Sequence, residues 1–148
     1  MVMVAVIAAA LLLATILVHG VAVMLLYGFS LGPISRAAKL SKAARLGFSY
    51  VFVLGFVVAH FVEIMIWALA YRIAGALQSM EEAIYFSAVT FATIGYGDVT
   101  LSGEWRIASA LEGVNGILLF GWTTAFLFKL SGMLWFPEGS THGGVDER

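Results

Sequence analysis

The feature that most constrains this chain is the length of its apolar runs. Residues 2–29 contain one side chain that titrates near neutral pH, His19, and two further long runs cover residues 49–71 and 105–136. A helix needs about 20 mostly apolar residues to cross the hydrocarbon core of a bilayer. All three runs reach that length, and the first and third have room to tilt. Composition agrees: of the 148 residues 61% are hydrophobic and 11% charged, against about 25% charged in an ordinary soluble domain. The first run is expected to persist as a helix rather than act as a signal peptide, because it has no basic n-region and is too long for an h-region. Cysteine is absent, which excludes disulfides and thiol chemistry.

Arg36, Lys39, Lys42 and Arg45 lie together between the first and second runs. Cytoplasmic loops are enriched in Lys and Arg, so the 30–48 linker is expected inside the cell. The N-terminus and the 78–103 region are then outside, and the C-terminus is cytoplasmic. The basic residues recur every third position, as in a voltage-sensing helix. The residues between them are mostly Ala, Ser and single Leu rather than large apolar groups, and Gly32-Pro33 precedes them. An interfacial helix or solvated loop beside anionic lipid headgroups is expected instead. The tail, 137–148, is Gly-rich and polar and reads as disordered.

Between the second and third runs, Ser79-Met80-Glu81-Glu82 precedes an apolar stretch ending at Ala92. Ser79 and Glu82 have the spacing of a capping box, and two acids in the first turn complement the helix dipole. The resulting helix, 80–92, is roughly 18 Å long at 1.5 Å per residue, too short to span. A re-entrant helix is expected, its C-terminal partial negative charge directed into the membrane. Irregular backbone follows, and at membrane depth it is tolerated only where protein or an aqueous path surrounds it.

That backbone reads Thr93-Ile94-Gly95-Tyr96-Gly97-Asp98, with Thr90 three residues ahead. It closely resembles the T-x-x-T-x-G-Y-G-D selectivity-filter signature of the potassium channel pore-domain family, in the form of a simple prokaryotic-type channel with an extra N-terminal span. The resemblance covers about residues 49–128. It implies an all-α membrane protein with three transmembrane helices, a re-entrant pore helix and a filter loop, assembled as a homotetramer. It further implies K⁺ bound by the carbonyls of Thr93, Ile94, Gly95 and Tyr96 and by the Thr93 hydroxyl, in place of the ion's water. Gly95 and Gly97 can take positive φ at little cost. Ile94 and Tyr96 are then expected to pack against the pore helix. Two departures stand out. Tyr85-Phe86 occupy positions where many members carry paired tryptophans, and Val89 replaces a glutamate found in some, which leaves Asp98 in need of another partner.

The third run holds Gly116 and Gly121, each readable as a hinge or a close-packing point. By the resemblance, Gly116 is the better match to the family's gating glycine. Ile117, Phe120, Thr124 and Phe128 fall on one helical face. They are expected to line a cavity, with Phe128 near its inner constriction, or else to pack on the second span.

His60, Glu63 and Trp67 share one face of the second span, and Glu112 and Asn115 share one face of the third. Ionisable groups inside a span are costly and usually paired. A buried hydrogen-bonded group joining the helices behind the filter is expected, with proton sensing through His60 as the sharper alternative. His19 reads as an isolated packed or water-facing histidine. Outside the membrane, Glu81, Glu82, Asp98 and Glu104 outnumber Arg72 and Arg106, a balance that concentrates cations.

The function these features favour is passive, K⁺-selective conduction. The alternatives are a weakly selective cation channel of the same build, and a non-conducting membrane subunit that keeps the pore-loop fold. No enzymatic activity is expected, nor any cofactor besides the permeant ion. The expected partners are K⁺, membrane lipid and other copies of the chain, with no nucleic acid. A bacterial-type inner membrane is the expected location.

Overall fold

The computed structural model describes residues 2–35 and 40–136. Among them the chain forms four helices and no strand: α1 (Val2–Ser35), α2 (Lys42–Ile73), α3 (Met80–Phe91) and α4 (Trp105–Trp135). α1, α2 and α4 are long and apolar enough to cross a membrane. α3, at 12 residues, is not.

Local chemistry explains most of the boundaries. The Ser79 side chain accepts a hydrogen bond from the Glu82 N–H at 3.0 Å, and Glu82 Oε2 accepts from the Gln78 N–H at 3.1 Å. The capping box is therefore reciprocal, but its return bond reaches one residue further back than the usual pattern. α2 begins earlier than its apolar run because Ser41 caps it, accepting from the Ala44 N–H at 3.2 Å. Lys42 and Arg45, expected in a separate linker, thus stand in the first turns of α2. α2 stops at Gly75, whose φ of +71° lets the chain turn back while the N–H groups of Gly75 and Ala76 bond the carbonyls of Arg72 and Tyr71. α1 continues through Gly32-Pro33 to Ser35, with the proline in its last turn. Arg36, Lys39 and the 137–148 tail lie outside the described residues.

α2 and α4 form a wall with α3 packed on it and α1 packed on it as well. The buried residues of α1 are Val4, Ala8, Thr15 and His19, one helical stripe. Leu13, Leu17, Val21 and Met24 are exposed on the remaining surface, where lipid is their natural solvent. Around α3 the core is aromatic. Tyr71 meets Phe86 and Trp105 edge-on at 5.4 and 5.9 Å between ring centroids, contacts of about 0.5–1.5 kcal/mol each beyond area burial. Because lipid tails are as apolar as these side chains, burial alone does not hold such helices together; close packing and interhelical hydrogen bonds must contribute. Both are concentrated on the α2–α4 wall.

Candidate functional site: the 93–98 loop and two buried carboxyls

The backbone leaves α3 under tight control. The Thr93 N–H bonds the Thr90 carbonyl at 2.9 Å, and the Ile94 and Gly95 N–H groups bond the Val89 carbonyl at 2.9 and 3.4 Å. Positive φ then falls at every second residue: Thr93 at +57°, Gly95 at +59° and Gly97 at +79°. Such alternation can turn successive carbonyls to a common side of the chain, a row of oxygens suited to a dehydrated cation. The two glycines take this conformation cheaply, but Thr93 does so at a cost of about 1–3 kcal/mol, the kind of strain that clusters at functional sites. Residues 93–98 are exposed within one chain, Tyr96 to 69%.

Asp98 has a partner. The Tyr85 hydroxyl, one helical turn before Val89 on α3, donates to Asp98 Oδ2 at 2.6 Å. This bond holds the Asp98 carboxyl below its ordinary titration range and pushes the Tyr85 hydroxyl above its own. The position that departs from the tryptophan pattern thus supplies the contact that the Val89 departure left open. A cleft of about 360 Å³ lies beside this bond, between α3 and the loop, with Val89, Gly97 and Arg106 among its lining residues.

Behind the loop, α4 presses on the end of α3. A Cβ added at Gly116 would lie 1.9 Å from the Phe91 carbonyl oxygen, so only glycine permits this approach. Gly113 is next to it, with a Cβ position 3.6 Å from the Thr90 carbonyl oxygen. Gly116 is therefore a close-packing point in this conformation, whereas Gly121 has open space around it. Ile117, Thr124 and Phe128 are exposed on α4. Phe120 turns away from them to meet His60 at 4.5 Å and Phe91 at 5.6 Å between ring centroids.

The intramembrane polar residues, expected as one group, form three. Glu112 is fully buried and accepts from the Tyr71 hydroxyl at 2.7 Å and the Ser87 hydroxyl at 2.5 Å, which joins α2, α3 and α4. Asn115 donates to Thr15 on α1 at 2.6 Å. Glu63, also fully buried, sits between two imidazoles: His19 Nδ1 is 2.9 Å from Oε1 and His60 Nδ1 is 2.8 Å from Oε2. Trp67, though on the same face of α2 as His60 and Glu63, packs against Tyr71. His19 is thus no isolated histidine. Thr15 and His19, one turn apart on an otherwise apolar helix, were the available signal for a polar seam, and Ser87 carried none. The donors of His19, His60 and Glu63 lie within 4.8 Å of one another. Each carboxylate oxygen is at hydrogen-bond distance from a ring nitrogen.

Three helices long and apolar enough to span, with a short capped helix and a strained loop between the second and third, define a helical integral membrane protein. The family described as "Ion channel" matches residues 48–131, more than half of the chain, and the chain belongs to it. The match takes in α3 and the loop with most of α2 and α4, and leaves out α1. No curated protein and no solved structure matches.

Proposed function

We propose that this ion channel is K⁺-selective and conducts passively through a homotetrameric pore. The observation that carries this reading is the alternation of positive φ at Thr93, Gly95 and Gly97 within the T-I-G-Y-G-D sequence. In the proposed assembly α3 is a re-entrant pore helix, and its C-terminus favours a cation in the cavity below. The carbonyls of Thr93, Ile94, Gly95 and Tyr96, with the Thr93 hydroxyl, replace the water of K⁺. One such strand cannot enclose an ion, and cyclic symmetry closes the ring with copies of the same surface. The exposure of Ile94 and Tyr96 in the single chain fits burial against those copies. Ile117, Thr124 and Phe128 face the conduction path. By the positive-inside rule the N-terminus is outside and the C-terminus cytoplasmic, with Lys42 and Arg45 near anionic lipid.

The test is flux into liposomes that contain the purified protein, under opposing K⁺ and Na⁺ gradients. K⁺-driven flux blocked by Ba²⁺, with little Na⁺ flux, is expected. Comparable Na⁺ and K⁺ flux would replace this reading with a weakly selective pore. Folded tetramers without flux across a range of pH would favour a non-conducting subunit.

A further inference from the structure

The buried ring of His19, Glu63, His60 and Thr123 can be read by counting hydrogens. It draws one residue from α1, two from α2 and one from α4. Besides the two imidazole contacts to Glu63, Thr123 Oγ1 is 3.0 Å from His60 Nε2 and 3.4 Å from His19 Nε2. Each of these four contacts joins two electronegative atoms and needs one hydrogen between them. An ionised Glu63 brings none, Thr123 brings one, and two neutral imidazoles bring one each. The set is one hydrogen short.

We propose that this ring is a binding site for one additional proton. With it, one ring becomes imidazolium and donates from Nδ1 to Glu63 and from Nε2 to the Thr123 oxygen. Thr123 donates its own hydrogen to the other Nε2, and that imidazole donates from Nδ1 to the second Glu63 oxygen. Placing the added hydrogen on Glu63 gives the same count. The charge count agrees with the hydrogen count. Without the proton the cluster carries one uncompensated negative charge inside the membrane span; with it the charge is zero; a second would leave one positive charge and no contact to occupy. Buried uncompensated charge is strongly unfavourable.

Nothing charged among the described neighbours offers to compensate instead. The rings against the two imidazoles are Phe56 from α2, Phe91 from α3, and Phe120 and Trp122 from α4. The other buried carboxyl, Glu112, has its oxygens taken by Tyr71 and Ser87. Because the ring spans three helices, release of its proton bears on how α1, outside the family's matched region, is held to α2 and α4. This inference does not depend on which ion the channel passes.

The test is ¹⁵N-histidine NMR of the purified full chain at pH 7, in a His142→Gln background so that only His19 and His60 contribute. One doubly protonated imidazole, or a protonated Glu63 carboxyl seen in ¹³C-glutamate spectra, is the expected result. Two neutral imidazoles beside an ionised Glu63 would overturn the proposal, as would stoichiometric metal in the purified protein with metal-shifted ring nitrogens. Glu63→Gln supplies the missing hydrogen from its own amide. It is expected to fold, to show two neutral imidazoles, and to lose less Tm than wild type as pH rises into the alkaline range. A Glu63→Gln protein that keeps the imidazolium, or that falls in parallel with wild type, would also count against it. If this variant fails to fold, the wild-type spectrum decides alone.

Discussion

The two faces of the α2–α4 wall solve the same problem with different chemistry. Each buries a glutamate completely: Glu112 toward α3 and Glu63 toward α1. Glu112 is held by two hydroxyls, Tyr71 and Ser87, which donate hydrogen bonds and carry no charge. Glu63 is held by two imidazoles, which can donate and can also carry charge. The backbone approach differs as well. On the α3 face Gly116 leaves no room for a methyl group beside Phe91, whereas on the α1 face a Cβ at Gly20 would meet only the far end of Trp122, at 3.8 Å. The face that carries the strained loop is closely fitted, helix against backbone. The face that carries α1 is met by side-chain ends, Leu26 among them at 2.8 Å from a Cβ built at Gly55, and holds groups that can change protonation.

The contrast can be broken most decisively at its two glycines. Gly116→Ala places a methyl group on the Phe91 carbonyl, and overpacking against backbone at a helix crossing is expected to cost about 3 kcal/mol or more. Loss of the folded protein in detergent is the expected readout. Gly20→Ala on the other face is expected to be neutral or stabilising by about 0.5 kcal/mol, because only helix propensity changes. Similar Tm losses in the two variants would erase the distinction between the faces.

The hydroxyl clamp comes next in size. Glu112→Ala strands the buried Tyr71 hydroxyl, whereas the Ser87 hydroxyl keeps the Ile64 carbonyl at 2.9 Å as an acceptor. One unsatisfied group costs about 1–3 kcal/mol, and a loss of about that size is expected in a denaturant titration. Recovery of most of that stability by Tyr71→Phe in the same background would show that the stranded hydroxyl, and not the cavity, carries the loss.

The smallest effect is expected at the exposed end of the α3 face. Tyr85→Phe removes the hydrogen bond that holds the Asp98 carboxyl below its ordinary range. A depressed carboxyl stabilises the folded loop at pH above its unfolded value, about 4, and that contribution disappears as pH falls through the depressed value. The variant lacks the contribution, so its Asp98 titrates nearer the ordinary value and its loop differs little from wild type at low pH. NMR titration of Asp98 reads the shift directly; an unchanged midpoint would mean that Tyr85 does not set it.

The sequence alone determined the three spanning runs, the start of α3 at Ser79 and the glycines that take positive φ in the loop. These are local properties. Hydropathy over a window, a serine three residues before a glutamate, and the absence of a Cβ act within a few residues and need no distant partner. The sequence also placed Glu63 and Glu112 among the costly groups that must be paired, but it could not say with what. Glu63 pairs with His60 on its own helix and with His19, 44 residues away, and the partners of Glu112 come from two other helices. Which face each helix turns to its neighbour depends on how several side-chain surfaces interlock at once, and a helix that is apolar on every side carries no stripe to announce its inner face. For the same reason tertiary packing decided that Gly116 is a contact point, that Phe120 leaves the face it shares by spacing with Ile117 and Thr124, and that Tyr85 reaches Asp98.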